Sequence, residues 1–459
     1  MKTNAILNTD SYKCSQWVQY PDGTEYVYSY IESRGGAWDQ TVYFGLQSFL
    51  REYMIKPITQ ADIDEAELFI TAHGEPFNRA GWQYILDTYN GYLPLEIRAV
   101  DEGTVLPVSN VLVTVVNTDP KCFWLTSYIE TALLRAIWYG TTVATNSFES
   151  KKLIRDAMIE TGADLSGLPF KLHDFGARGV SSEESAALGD VAHLVNFMGT
   201  DTISGLLAAK RYYDADMAGF SIPAMEHSTV TSWGRENEVD SYRNMLNNFA
   251  KPGAILAAVS DSYDIYNACK LWGTELKDQI VQSGATLVVR PDSGDPATVV
   301  VKCLKILDKH FGHTVNEKGY RVLNNVRVIQ GDGIDHASIR SILFCMEMAG
   351  YSVDNIAFGQ GGALLQQINR DTLKFAMKCS AICVNGVWRD VYKDPITDKG
   401  KRSKRGRLAL IEWADGDFTT VPQDEAGDKD QLQVRFRNGK LFNQTTFAEV
   451  RERANQPFV

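Results

Sequence analysis

One pattern recurs seven times along the chain: a short apolar run, then at once Gly, Asp, His or Arg, then a helical segment. It occurs at Phe170–Phe175, Leu194–Asp201, Phe220–His227, Ala254–Asp261, Thr286–Asp292, Val326–Asp332 and Asn355–Gly362. Buried parallel strands read as continuous apolar runs, and the helical stretches between them supply the crossovers. The repetition therefore predicts successive βα units. Polar residues close each run, where a barrel gathers its active-site loops at the carboxyl ends of its strands. A doubly wound open sheet gives a similar alternation, so α/β follows more firmly than barrel closure. The expected fold is α/β: an incomplete TIM-like α/β barrel over 151–379, beside a second, discontinuous β-rich α+β domain from 1–150 and 380–459.

The flanking regions carry a different texture. Glu25–Ile31 alternates as a strand does, and Leu95–Val116 holds short β-branched runs broken by Gly103 and Pro107, which suggests a small antiparallel sheet. Ile63–Ala72 and Ala80–Tyr89 read as helices, Thr126–Trp138 as a largely buried helix and Thr145–Glu160 as an amphipathic one. Beyond residue 380, Ser380–Val387 and Arg407–Ile411 read as strands and Gln433–Phe436 with Lys440–Phe442 as a hairpin. Asp415–Asp430, rich in Asp, Glu and Gly, reads as a loop.

A length of 459 residues exceeds one ordinary core. A net charge of -11 disfavours general binding to nucleic acid or anionic membrane, so anionic substrates need local cations, backbone N–H groups or a metal ion. No run approaches the roughly 18 apolar residues of a membrane span, and the first ten residues lack the pattern of a secretory signal. The seven cysteines are scattered, without a zinc pattern at Cys379 and Cys383. A cytoplasmic protein with reduced thiols is the expectation.

The chemistry concentrates where the apolar runs end. His173–Gly179 (HDFGARG) sets Phe175 and Arg178 three residues apart, which suits a flat ring beside an anion; a core Phe and a surface Arg would read the same. Arg290–Pro296 (RPDSGDP) offers a phosphate clamp in Arg290 and carboxylates for ribose hydroxyls or Mg²⁺ waters, unless it is only an Asp-rich turn. Gln330–Gly333 (QGDG) and Phe358–Gly362 (FGQGG) let backbone approach a phosphate, or are ordinary tight turns. His227 closes a strand-like run beside Glu226, a position suited to a nucleophile or acid as well as to a structural role. Lys399–Arg407 (KGKRSKRGR) suits a basic loop beside a phosphate better than a nucleic-acid patch on so acidic a chain. No P-loop, dinucleotide fingerprint or Ser-His-Asp motif is present. The inventory suits transfer of a phosphorylated sugar to a nitrogen heterocycle and does not name the base.

At these residues the chain resembles the nicotinamide phosphoribosyltransferases, type II phosphoribosyltransferases. Nine ordered blocks carry the resemblance: TDSYK (Thr9–Lys13), HDFGARG, FMGTDT (Phe197–Thr202), AMEHST (Ala224–Thr229), SDSYDIYNAC (Ser260–Cys269), RPDSGDP, VIQGDG (Val328–Gly333), FGQGG, and KDP followed by KRSKRGRL within Lys393–Leu408. The resemblance implies joining of nicotinamide to 5-phosphoribosyl 1-diphosphate, giving nicotinamide mononucleotide in NAD salvage. It implies a homodimer with shared active sites, Mg²⁺ carried on the diphosphate, and ATP as co-substrate through a phosphohistidine at His227. It implies nicotinamide between Phe175 and the partner's Tyr12, with Asp201 on the carboxamide. It places ribose at Asp292, Gly331 and Asp332, the nucleotide phosphate at Gly361 and Gly362 with Arg370 from the partner, and diphosphate on Arg178, Arg290 and His227. Arg34, Lys378 and Lys393 are implied as further basic contacts, and Glu226 and Asp261 as orienters of the imidazole. Two positions depart from the family, Ala177 where a Tyr is common and Ala376 where a Ser is common. Nicotinate phosphoribosyltransferase and a non-catalytic signalling protein on the same scaffold are the alternatives.

Overall fold

The computed structural model describes residues 4–397, 402–414 and 416–458. The chain divides into two compact units. One comprises residues 146–208 and 216–367, the other 1–145, 209–215 and 368–459.

Six parallel strands form the sheet of the first unit: β1 (Leu172–Asp174), β2 (Gly199–Thr200), β3 (Ile255–Val259), β4 (Thr286–Arg290), β5 (Val326–Gln330) and β6 (Ile356–Gln360). Across the sheet they run β2-β1-β6-β5-β4-β3, so the edges are β2 and β3. The seventh apolar run bridges both edges. Thr200 donates its N–H to the Phe220 carbonyl (3.1 Å), while the Ala257 N–H donates to the Pro223 carbonyl (2.9 Å) and the Met225 N–H to the Ala257 carbonyl (3.0 Å). Both bridges, Gly199 to Phe220 and Ala224 to Ala257, are parallel. The sheet therefore curls into a ring closed by an irregular seventh segment. Pro223, with no N–H to donate, accounts for that segment not being a regular strand.

Helices follow the strands with their apolar stripes on the sheet. Pro296–Phe311 is typical: Asp295 caps it by accepting from Thr298 N, Pro296 opens it, and Val300, Cys303, Leu304 and Leu307 are fully buried. Alternate strand residues separate two packed faces. Leu287 and Val289 join the large core, whereas Val288 packs with Ala257 and Ile329 on the opposite face, against Phe175.

The second unit is built on a seven-stranded antiparallel sheet, ordered Val387–Asp390, Phe375–Val384, Thr24–Ser33, Val111–Asn117, Leu95–Ala99, Gln433–Arg437 and Lys440–Leu441. The boundaries differ from 150 and 380. The strand Phe375–Val384 pairs with Thr24–Ser33 along its length, which assigns residues from 368 onward to this unit. The short piece 209–215 joins it because the buried Tyr213 stacks on Phe44, with ring centroids 5.1 Å apart.

Three local expectations change. Ser380–Val387 is a hairpin, not one strand: Asn385 and Gly386 both have positive φ and Val384 pairs with Val387. Thr126–Trp138 and Thr145–Glu160 fall largely within one 31-residue helix, Glu130–Glu160. Gly140 interrupts the sequence pattern there because any Cβ would approach the Phe44 carbonyl to 2.9 Å. Asp415–Asp430 contains the strand Phe418–Pro422 and a helical turn, Gln423–Ala426; residue 415 lies outside the described residues. Among the described residues no helix is long and apolar enough to cross a membrane, and all seven cysteines are free.

Candidate active site

The carboxyl ends of the ring's strands bring together most of the residues singled out in this unit. On one side lies a flat platform. Phe175 follows β1, and its ring rests across β6 at Gly359, where a Cβ would stand 2.0 Å from the ring. Gly331 flanks the same ring, its hypothetical Cβ at 3.2 Å. The Arg290 guanidinium lies 5.5 Å from the ring centroid. Asp201, exposed after β2, accepts from the Ser221 hydroxyl at 2.6 Å, and its N–H donates to the Asp174 carbonyl. His173 turns its Nε2 to the Phe170 carbonyl (3.1 Å), and burial holds its pKa below the ordinary value. An aromatic face with a carboxylate on the neighbouring loop can seat a flat heterocycle and accept from an N–H on it.

On the other side the charges are denser. Arg290 ends β4 and donates to Asp292 Oδ1 at 2.8 Å. The Asp292 N–H and the Ser293 hydroxyl both donate to Asp261 Oδ2, at 3.1 and 2.5 Å. His227 opens the turn His227–Thr231 with its Nε2 3.4 Å from Asp292 Oδ2 and 3.8 Å from Asp261 Oδ1. Its Nδ1 lies 3.2 Å from Ser262 Oγ. A half-exposed imidazole is thus held between a hydroxyl and two carboxylates. Glu226 is placed differently from Asp261: its carboxylate accepts from the Ser228 hydroxyl, and no described contact joins it to the imidazole. Arg178 is exposed on the turn Ala177–Gly179 beside Ala177. Gly331 and Asp332 follow β5, where Gln330 donates to the Asp332 carbonyl (3.1 Å), and Gly361 and Gly362 follow β6.

Comparison with known proteins fits this geometry. Residues 170–440 match the nicotinate phosphoribosyltransferase family model, and residues 4–97 match the nicotinamide phosphoribosyltransferase N-terminal domain. The chain is 59% identical to a nicotinamide phosphoribosyltransferase of Xanthomonas campestris pv. campestris, covering 98% of each. It is 33% identical to that of Acinetobacter baylyi, covering 99% of this chain and 98% of the relative. The chain belongs to the nicotinamide phosphoribosyltransferase family. It is accordingly a phosphoribosyltransferase, a transferase of the pentosyl class. Its fold is also that of a nicotinate-nucleotide pyrophosphorylase from Pyrococcus furiosus, at a TM-score of 0.62 and 15% identity over 98% of this chain and 94% of that one.

The remaining residues implied by the resemblance to the nicotinamide phosphoribosyltransferases lie in the second unit. Tyr12 is 55% exposed, with the Lys13 ammonium 5.2 Å from its ring centroid. Lys13 is buried and paired with Glu130. Arg34 donates to Glu32 (3.0 Å), leaving its Nη2 buried without a partner. Lys378 borders an open cavity of about 350 Å³ with Lys13, Gln16, Tyr20 and Glu130. Burial lowers the Lys378 pKa, Glu130 opposes that, and Arg34, Lys13 and Arg370 add to it. Arg370 is exposed beside Asp371, and Lys393 is exposed with its backbone tied to Ser403. Ala376 pairs with Glu32 across the sheet. Of the basic loop, residues 399–401 lie outside the described residues; Lys404 pairs with the buried Glu32, and Arg405 lies 4.0 Å from Asp390.

Sequence reasoning missed several residues at the ring's mouth. Ser221 and Ser262 hold Asp201 and His227, Gly359 seats the platform, and Asp174, Asp190, Thr200 and Thr202 lie beneath it. The available signal was position: Asp174, Thr200, Ser221 and Gly359 lie within four of the seven recurring segments, beside the residues singled out.

Proposed function

We propose that this phosphoribosyltransferase condenses nicotinamide with 5-phosphoribosyl 1-diphosphate to give nicotinamide mononucleotide and diphosphate, serving NAD salvage. The observation that carries the choice of base is Asp201, a carboxylate fixed by Ser221 on the loop after β2, beside the β1 loop that carries Phe175. It accepts from the N–H of a carboxamide and repels the carboxylate of nicotinate.

In this reading the pyridine nitrogen attacks C1 of the ribose as the C1–O bond to diphosphate breaks, and the bonding pair leaves with the diphosphate. The pyridine nitrogen carries no proton, so no base is needed and positioning supplies much of the rate. Arg290, Arg178 and His227 stabilise the departing charge. Asp292 with the backbone at Gly331 and Asp332 holds the ribose, and the glycines at 361 and 362 leave room for its 5-phosphate. Asp261 Oδ1, buried without a hydrogen-bond donor, and Asp292 Oδ2 both face the imidazole and are the hard oxygen donors that suit Mg²⁺, reached through water or the diphosphate. Mg²⁺, when bound, neutralises charge on the diphosphate.

ATP is proposed as co-substrate. Its terminal phosphoryl group passes to an imidazole nitrogen of His227, ADP leaves, and water later releases phosphate from the histidine. The exposure of the imidazole and its fixation by Ser262 support that role. A homodimer is proposed to complete each site with the partner's Tyr12 and Arg370, and the exposure of both side chains is consistent with it. Arg34, Lys378 and Lys393 serve as further basic contacts, and a cytoplasmic location is part of the same proposal.

The test is product formation by purified protein with Mg²⁺ and 5-phosphoribosyl 1-diphosphate, offering nicotinamide and nicotinate together, with and without ATP. Nicotinamide mononucleotide as the dominant product, increased by ATP, is expected. Turnover of nicotinate alone would overturn the role of Asp201, and turnover of neither the enzymatic reading.

A further inference from the structure

Beneath the platform lie two carboxyl groups that this mechanism does not use. Asp174 ends β1 and Asp190 lies on the helix Glu183–Leu194; both are fully buried. Asp174 joins the two loops that carry Phe175 and Asp201. Its Oδ1 accepts from the Gly176 N–H and its Oδ2 from the Thr202 hydroxyl, both at 2.7 Å. Its main-chain carbonyl accepts from the Asp201 N–H at 3.1 Å. Asp190 has fewer donors. Its Oδ1 accepts from the Thr200 hydroxyl at 2.6 Å, and its Oδ2 is buried with no donor in reach. The Thr200 oxygen then accepts from the Thr202 N–H at 2.9 Å, so the donors run in one direction. Gly205 is open for this carboxyl: a Cβ there would lie 2.0 Å from Asp190 Oδ2.

The two carboxyls are joined through Thr200 and Thr202, which bond to Asp190 and Asp174 respectively, and another anion, Asp201, acts on both. Two ionised carboxylates cannot persist side by side in a dry interior without a cation, and one of them keeps a proton. Counting donors decides which. Asp174 is already satisfied as an anion by an N–H and an O–H, whereas Asp190 has an oxygen with nothing to accept. A proton on Asp190 Oδ2, donated to Asp174, removes the orphan and completes the acceptor set. Burial raises both carboxyls above their ordinary range.

We propose that Asp174 and Asp190 share one proton, resident on Asp190, and that this acid–carboxylate pair is the positioning device that fixes the Phe175 ring and the Asp201 carboxylate for the base. Neither residue touches substrate. The pair carries one negative charge instead of two, and it locks the β1 and β2 loops to each other through Thr202 and Gly176. The role in positioning rests on the base-binding reading of Phe175 and Asp201; the shared proton does not.

Two measurements test it separately. The infrared difference between wild type and Asp190→Asn at neutral pH, without substrate, is expected to show the carbonyl stretch of one protonated carboxylic acid that shifts in D₂O. Its absence would overturn the shared proton, whatever the base proves to be. Steady-state kinetics then test positioning. An amide donates as the neutral acid does, so Asp190→Asn is expected to leave the nicotinamide KM within about twofold. Asp190→Ala and Asp174→Asn are expected to raise it about tenfold or more, with a smaller change in the KM for 5-phosphoribosyl 1-diphosphate. Thr202→Val, a milder change that keeps the fold, is expected to raise the nicotinamide KM a few-fold. If Asp190→Asn is as damaging as Asp190→Ala, or if both substrates' KM values rise alike, the positioning role is wrong. Should nicotinate prove to be the substrate, the same split read on nicotinate KM keeps the two conclusions apart.

Discussion

The two halves of the ring's mouth use the same residue type in opposite ways. On the base side, Asp174 and Asp190 are buried and act through the loops above them, touching hydroxyls and an N–H. On the phosphate side, Asp261 and Asp292 lie against an imidazole and a guanidinium. Environment decides the chemistry of a carboxyl. Beside Asp292 stands the Arg290 guanidinium, so this side does not depend on a retained proton to balance its charge. Without a cation, the buried pair must keep a proton and can only position. Placement follows from topology: β1 and the helix Glu183–Leu194 deliver the first pair, while the loops after β3 and β4 deliver the second.

Breaking the phosphate side should give the largest effect. Arg290→Ala removes a guanidinium from both Asp292 and the Phe175 face. We expect kcat/KM for 5-phosphoribosyl 1-diphosphate to fall about a hundredfold or more, roughly 3 kcal/mol in the transition state. A loss under about threefold would show that the charge balance of that side lies elsewhere. Next is the platform. Gly359→Ala would place a Cβ 2.0 Å from the Phe175 ring and must displace it. The nicotinamide KM should rise about tenfold, near 1.4 kcal/mol, and a crystal structure with the ring unmoved would contradict the mechanism of that loss.

Asp201→Asn sharpens the comparison, because it converts an anionic acceptor to a neutral one beside the buried pair. The ratio of kcat/KM for nicotinamide over nicotinate should fall about tenfold; competition assays with both bases read it directly, and an unchanged ratio removes Asp201 from base selection. The last prediction concerns pH and stability and leaves the kinetics aside. The Asp190 carboxyl is raised by burial first and by Asp174 second, with Asp201 adding to both. Above the ordinary carboxyl value, about 4, the folded state binds more protons here than the unfolded state. Stability from this group is therefore full below that value and is lost as pH rises toward the folded-state pKa, by at most about 1.4 kcal/mol per pH unit. Denaturant midpoints of Asp190→Asn should gain on wild type as pH increases from 4 to 8. A parallel pair of profiles would mean that Asp190 is ionised in the folded protein.

Much of the mouth was legible in the chain because many of its residues close an apolar run. Phe175, Asp201, His227, Asp261, Arg290, Asp292 and Asp332 could be picked out by position alone. Gly359 was read with its neighbours as a phosphate turn, yet its role is to leave room for an aromatic ring from another strand, which only β1–β6 pairing reveals. Asp190 sits in a helix, outside every recurring junction, and nothing local distinguishes it from a solvated acid. The Asn385-Gly386 turn, by contrast, was present in the sequence and was overlooked.

The sequence by itself determined the α/β alternation, the positions of the loops and the family, since all three depend on the order of residue types along the chain. Tertiary structure alone decided three things. Ring closure depends on Pro223 and its neighbours reaching two edges at once. The unit boundaries depend on which sheet accepts the strand Phe375–Val384. The protonation of Asp190 depends on which donors surround its two oxygens. Each is a matter of partners distant in sequence, and a residue's partners, not its type, set whether its charge, its backbone hydrogen bonds and its volume are satisfied.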